Sequence, residues 1–347
     1  MITAAETARD TARRLLDLIA AARGARVVVL GDLIADEFVS GRIARVSREA
    51  PVLILEHDQT AMLPGGAGNA AHNVATLGGQ VTLVALAGRD DAGRRVLASF
   101  PSGVEQRAIV RPAGYHTPVK TRILAGGVHS AKQQVVRIDR ATHEPIADAW
   151  RARWVRAAAT ALKRADAVLI SDYGSGLISP AVVAALVAPL RQRGRAVPVL
   201  VDSRYQLLRY RGLTASTPNE SEVEQALGTT IGEAPRALER AGRTILTRTR
   251  MDAVLVTRGS RGMALFEPGV PTTHIPIHGS DEIADVTGAG DTVMATLTLA
   301  LAAGASMADA ARLANYAGGL VVMKRGTATV SARELARAVS LDAGSRR

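Results

Sequence analysis

The sequence contains no cysteine, few aromatic residues and very few lysines. Without cysteine there can be no disulfide, no thiolate metal site and no cysteine nucleophile, which fits a reducing, cytoplasmic setting. Aromatics make up 3% of the 347 residues, too few for the stacking platforms of a single-stranded nucleic-acid binder. No apolar run reaches the ~18 residues of a membrane span, so no membrane partner is expected. The first 24 residues, MITAAETARDTARRLLDLIAAARG, carry early acids and no long apolar region. They read as an amphipathic helix over 1–24, not a signal peptide. Charge is one-sided: 43 Lys+Arg face 32 Asp+Glu, a net +11, yet only Lys120, Lys132, Lys163 and Lys324 are lysines. Basic runs go no further than pairs such as Arg13-Arg14, Arg94-Arg95 and Arg346-Arg347. The excess therefore reads as the arginine bias of a GC-rich genome, and no nucleic-acid partner is expected.

With 22% charged and 47% hydrophobic residues, the chain has a globular composition. Short apolar runs at 26–30, 81–86, 167–170, 197–201 and 253–256 alternate with helix-period segments near 68–77, 151–164 and 181–193. That alternation predicts an α/β fold with a parallel sheet covered on both faces. Such sheets bind ligands beyond the C-terminal ends of their strands. Attention therefore falls on Gly31-Asp32, Ser171-Asp172, Asp202 and Thr257-Arg258-Gly259. Segments 37–60 and 106–140 break the rhythm and are predicted to form a β flap outside the main sheet. One domain over 25–340 with this excursion, followed by a tail at 341–347, is the simplest organisation.

Three motifs carry chemistry. Asp285-Val286-Thr287-Gly288-Ala289-Gly290-Asp291 precedes an apolar stretch that reads as a buried helix. Small residues at a helix N-terminus leave backbone N–H groups and the helix dipole facing an anion. An acid closing such a loop makes sense as a general base for a hydroxyl that attacks a phosphoryl group. The alternative is an Asp that merely caps the helix. Pro64-Gly65-Gly66-Ala67-Gly68-Asn69 is a second glycine turn before a helix, without the Lys-Ser/Thr of a P-loop and without an obvious strand directly before it. Thr217-Pro218-Asn219-Glu220-Ser221-Glu222 could organise Mg²⁺ through water. On spacing alone the favoured reading is a helix start, with Asn219 as its cap.

Together these residues resemble the ribokinase-like (PfkB) sugar kinases. Gly65–Asn69 with Gly78 and Gly88 is similar to that family's first signature, Asp285–Asp291 to its second, and Asn219 with Glu222 to its N-x-x-E motif. Within it, residues 31–51, Ser171-Asp172-Tyr173-Gly174, Thr217-Pro218-Asn219, Val256-Thr257-Arg258 and 326–331 look like the heptose 7-phosphate kinases, including the kinase half of bifunctional heptose kinase/ADP-heptose synthases. The resemblance implies a three-layer αβα fold with a mainly parallel sheet and a β lid. It implies ATP-dependent phosphorylation of O1 of D-glycero-D-manno-heptose 7-phosphate, with only the kinase step encoded in these residues. The roles it implies are Asp291 as base and Gly288, Ala289 and Gly290 as anion hole. Asn219, Glu222, Thr257, Arg258, Gly259 and Asn315 would serve nucleotide and Mg²⁺. Asp32, Asp36, Gly65, Gly66, Asn69 and Asp172 would serve the sugar. Asp285, Thr287 and Gly326 would form a K⁺-type monovalent-cation site. A homodimer through the lid is also implied. A substrate phosphate needs further cations, for which Arg45, Lys120, Arg122 and Arg137 are candidates. His72 and His129 read as surface or helix-face histidines.

Two departures bear on the substrate. Ser175 stands where the heptose kinases carry a lysine in S-D-Y-x-K-G, and Asp202-Ser203-Arg204 stands for their D-P-K. Arginine and lysine are not equivalent phosphate binders. Alternatives are therefore a kinase for fructose, ribose or a hexose phosphate, or a degenerate kinase kept as a binding protein.

Overall fold

The computed structural model describes residues 4–127, 132–140, 145–194, 196–279, 285–324 and 326–345. The apolar runs all become strands. In chain order the strands are β1 (Arg26–Gly31), β2 (Leu33–Val46), β3 (Leu53–Gly66), β4 (Gln80–Val84), β5 (Val104–Glu105), β6 (Val119–Gly126), β7 (Gln133–Arg140), β8 (Ala167–Asp172), β9 (Val199–Ser203), β10 (Ala215–Ser216), β11 (Ala253–Thr257), β12 (Met263–Phe266) and β13 (Thr273–Ile275). Nine form the main sheet in the order β13-β12-β11-β10-β9-β8-β1-β4-β5. Pairing is parallel from β5 to β11 and antiparallel at β12 and β13.

Burial explains why these strands are apolar throughout rather than alternating. Val27 and Val29 enter one core with Leu83, Leu169 and Leu255. Val28 and Leu30 enter a second core with Val84, Val168 and Ile170. Both faces need helices. The first face is covered by α1 (Ala4–Ala21), α2 (Ala67–Thr76), and the C-terminal helices α8 (Ala289–Ala302), α9 (Met307–Val321) and α10 (Ala332–Ser345). Between α2 and α8 the chain forms α3 (Asp91–Ala98), α4 (Asp148–Leu162), α5 (Pro180–Val187), α6 (Glu220–Leu227) and α7 (Pro235–Thr249). Of these, α4 and α5 cover the opposite face, where fully buried Trp154 donates to the Val84 carbonyl at 3.0 Å. Helices α6 and α7 close a third cluster against β11 and β12. Every residue from Asp291 to Ala300 on α8 is buried. Thr296 and Thr298 remain compatible with that burial by donating to carbonyls one turn back.

The flap is a separate four-stranded sheet, β3-β2-β6-β7. Its limits differ from the expected ones. The first arm runs 33–66, beyond 37–60 at both ends, whereas 106–118 is largely irregular and bridges the main sheet through Val110 and Leu86. The expected tail is helical to Ser345. Strand β3 also leads directly into α2, so the Gly65–Asn69 turn does follow a strand. That strand is long, polar and lid-borne, which hides it from an apolar-run reading.

Candidate active site

The C-terminal ends of β1, β8 and β9, the root of the lid and the N-terminus of α8 converge. Asp32 follows β1, Tyr173 and Ser175 follow β8, Asp202 ends β9, and Asp36 and Lys120 pair across the lid root. A cleft of about 450 Å³ is lined here by Asp172, Tyr173, Asp202, Arg204, Asn219, Glu222, Thr257, Gly259, Gly288 to Asp291 and Asn315.

Asp291 lines this cleft at the N-terminus of α8. Gly288 is the N-cap of α8, with φ 77°, and Asp291 sits in the first turn without capping it. The capping alternative therefore fails. Its carboxylate accepts from Asn69 Nδ2 at 2.8 Å and from the Tyr173 hydroxyl at 3.3 Å. Burial pushes its pKa up to about 7, with Asn69 opposing the rise and Asp36 adding to it. A carboxyl so poised suits proton transfer near neutral pH. Gly288 must be glycine, because φ is positive and a Cβ would collide with Asn69 Nδ2. Asn69 is in turn held by Asn73, whose amide donates to Asn69 Oδ1 at 3.1 Å. Of the expected anion-hole amides, Ala289 donates to the Val286 carbonyl at 3.2 Å, so Gly290 and Asp291 are the better-placed donors.

The expected sugar ligands gather at the lid root. Asp32 is buried and accepts from the Tyr173 amide at 2.9 Å and the Ser175 hydroxyl at 2.5 Å. Burial nonetheless raises its pKa to about 6. Gly65 passes so close to Asp36 that a Cβ there would strike the carboxylate. Gly66 caps α2. Asp172 accepts from Ser203 and Tyr210 hydroxyls at 2.7 Å each and from the Gly174 amide. It is thereby a buried anchor of the β8 loop, whereas a sugar ligand was expected.

Several expected cations are not free for substrate. Arg122 is buried in an ion pair with Asp36 at 2.5 Å and lies over the Phe38 ring. Arg258 turns away from the cleft to Glu220 at 2.8 Å, a partner it shares with Arg261. Arg137 pairs with Asp139. Arg45 is exposed on β2 nine residues beyond Asp36, about 30 Å along the strand. His72 is half-buried on α2, and His129 lies outside the described residues. Lys120 and Arg204 remain: Lys120 Nζ stands 4.8 Å and the Arg204 guanidinium 5.3 Å from the centre of the Tyr173 ring. Burial and Arg204 both lower the Lys120 pKa.

On the nucleotide side, Asn219 and Glu222 form a reciprocal capping box, each side chain accepting the other's amide at 2.9 Å. The helix-start reading is thus correct, and Glu222 still faces the cleft. Burial raises the pKa of Glu222, and burial together with Glu222 and Asp291 raises that of Asp202. Among the described residues no group of three or more His, Asp or Glu could hold a metal ion. Asn315 donates to the Pro276 carbonyl at 2.9 Å, pinning the strap that walls the cleft. A larger cavity, about 750 Å³, lies behind that strap and contains none of the Asp291 loop. Asp285 accepts from the amides of Thr287 (2.9 Å) and Gly326 (3.0 Å), bringing the three expected cation-site residues together.

Sequence reasoning missed Tyr173 and left Asp202 without a role. The available signal was position: both end or follow a strand of the parallel sheet.

A family model described as pfkB family carbohydrate kinase matches residues 25–334. The chain is 40% identical over 319 residues to Bifunctional protein HldE of Trichlorobacter lovleyi, covering 91% of this chain and 63% of that one. It is 42% identical over 321 residues to Bifunctional protein HldE of Caulobacter vibrioides, covering 91% and 64%. The chain thus spans less than two thirds of the length of these relatives. Among solved structures, phosphofructokinase-2 from Escherichia coli in complex with potassium superposes with a TM-score of 0.72 at 17% identity, over 91% of this chain and 99% of that one. Arabidopsis thaliana ribokinase complexed with ribose and ATP gives 0.68 at 21% identity, with the same coverages. At those identities the likeness establishes the three-layer fold.

Proposed function

The chain belongs to the pfkB family of carbohydrate kinases and is therefore an ATP-dependent sugar kinase; from that premise we propose that it phosphorylates O1 of D-glycero-D-manno-heptose 7-phosphate, giving the 1,7-bisphosphate, in ADP-heptose biosynthesis. The observation that carries the reading is the buried Asp291 carboxyl, held by Asn69 and Tyr173 at the N-terminus of α8, in one cleft with Arg204 and beside Lys120. The heptose-kinase motifs of the sequence and the 40–42% identity to Bifunctional protein HldE support the acceptor.

In this reading Asp291 takes the proton of the sugar hydroxyl. The freed oxygen attacks the γ-phosphorus, the bond to the β–γ bridging oxygen breaks, and ADP leaves. Gly290 and Asp291 amides and Arg204 meet the charge on the transferred group. Lys120, close enough to Asp291 to depress its pKa, takes the substrate's phosphate or sugar oxygens. Glu222 and Asp202 bring two carboxyls to one side of the cleft, which fits a divalent cation; Glu222 would hold Mg²⁺ through water, and the ion would neutralise nucleotide phosphates. Asp285 with the 287 and 326 backbone would hold a monovalent cation. The lid leaves Ile43, Val46, Leu53, Val135, Val136 and Ile138 exposed, a surface that fits a homodimer. No helix among the described residues is long and apolar enough to cross a membrane.

A second reading, a pfkB kinase for another sugar, is favoured by one observation. The position that carries lysine in heptose kinases is Ser175, tied to Asp32. An ADP-release assay across heptose 7-phosphate, fructose, ribose and hexose phosphates tests the proposal. Robust turnover of another sugar, with none of the heptose phosphate, sinks it. Asp291→Asn should lower kcat by about 10²–10⁴ with sugar binding kept.

A further inference from the structure

Both oxygens of Asp291 are held, and they are held differently. Oδ2 receives the Asn69 amide at 2.8 Å, a bond itself fixed by the Asn73 amide. Among the described residues Oδ1 receives only the Tyr173 hydroxyl, at the longer distance of 3.3 Å. Each oxygen keeps a lone pair for a second donor, so what marks Oδ1 is its longer, weaker bond, which leaves it the more basic oxygen for a substrate proton. Tyr173 is itself tightly placed. Its amide donates to Asp32, its ring is flanked by Lys120 and Arg204, and Gly66 lies against it so closely that a Cβ there would sit 3.4 Å from the ring.

We propose that Tyr173 is the positioning residue of this site: its hydroxyl orients Oδ1 of Asp291 toward the attacking hydroxyl, and the Lys120–Arg204 clamp on its ring holds that hydroxyl in place. The inference rests on the reading of Asp291 as the base. Because burial and Asp291 both raise the phenol's pKa, Tyr173 stays a donor across any assay range. The same bond also favours the ionised base, so its loss has a signature that a packing defect lacks. The other charged groups facing Asp291 are Asp36 on β2, Lys120 on β6, Asp202 on β9, Arg204 just after it, and Glu222 on α6. None of them is altered by removing one phenolic oxygen.

The test is Tyr173→Phe, which keeps the ring and its cationic neighbours. The pH dependence of kcat/KM should show its acid limb moved up by about one pH unit, the scale of one hydrogen bond to a carboxylate. Activity would fall about tenfold more at pH 6 than at pH 9, where the remaining loss reports the lost orientation of Oδ1. An unmoved limb, or an equal loss at every pH, overturns the proposal. If Tyr173→Phe does not fold, 3-fluorotyrosine at position 173 strengthens the donor and should move the limb down; an unmoved limb there also overturns it. Asp291→Asn run alongside separates the two claims. Retained activity means that the base is misassigned. An inactive Asp291→Asn with an unshifted Tyr173→Phe removes only the role of Tyr173.

Discussion

Asp291→Asn should make the protein more stable as it makes it inactive. Burial lifts the Asp291 carboxyl from 3.8 to about 7. A carboxyl raised on folding favours the folded state when protonated. Its contribution is fully present below about pH 4 and is lost as the pH climbs to about 7. Above that, the folded protein carries a buried carboxylate at a cost of about 4 kcal/mol. Asparagine removes the charge while its carbonyl still accepts from Asn69 and its amide can donate to the Tyr173 oxygen. The raised pKa already includes what the Asn69 bond gives the ionised form, so the gain at pH 8 is about 4 kcal/mol. For a chain of this size that is about 5 °C in Tm. Thermal melts of both proteins at pH 4.5, 6 and 8 measure it. The expected curves diverge as pH rises. Equal Tm values at pH 8, or a gain as large at pH 4.5 as at pH 8, would refute the argument that burial sets this carboxyl's state.

Other substitutions probe the neighbours. Gly288→Ala should cost both stability, about 1–3 kcal/mol by melting, and most of kcat, because the new Cβ displaces the amide that holds Asp291. Arg122→Ala strands Asp36 in the interior and should destabilise by about 3–5 kcal/mol in urea unfolding, whereas Arg258→Ala, outside the cleft, should leave KM for ATP within about threefold. Lys120→Met should raise KM for the sugar phosphate by about tenfold or more, with ATP KM little changed. If the proposed lid dimer forms, Ile138→Lys with Val136→Glu should shift it toward monomer in light scattering.

Much of this site was visible in the sequence, for a physical reason. Central parallel strands are buried on both sides, so they show as unbroken apolar runs, and ligand positions follow from where those runs stop. Asp32, Tyr173 and Asp202 all lie at such stops. Glycine turns before Ala67 and Ala289 announce helix starts because their backbones must approach other groups. Polar lid strands gave a weaker signal: β3 contains Glu56, His57, Asp58 and Gln59, all exposed, and its run into α2 was not legible. Cation roles were least legible. Whether an arginine reaches a substrate depends on where its acid lies, and Arg122 and Arg258 find theirs 86 and 38 residues away.

That pairing changes what the net charge of +11 means at the site. Arg122 is spent on Asp36, Arg258 and Arg261 on Glu220, and Asp172 is satisfied by two hydroxyls and an amide. What faces the reacting groups is Lys120 and Arg204 against Asp202, Glu222 and Asp291, so the cleft lacks cationic excess despite a basic protein around it. Two carboxyls there respond by holding protons more tightly, Asp202 and Asp291 each through burial reinforced by neighbouring acids. ATP and a phosphorylated sugar would both be repelled by a fully ionised cleft. In the proposed reading a divalent cation on the Glu222 side would remove that repulsion for the nucleotide, which would leave Lys120 and Arg204 for the sugar side and the transferred group. On this balance Lys120→Met and Arg204→Met should fail differently, the first in sugar-phosphate KM and the second in kcat. Identical effects would mean that the two cations serve one anion, and the assignment of two anionic substrates to this cleft would lose its electrostatic basis.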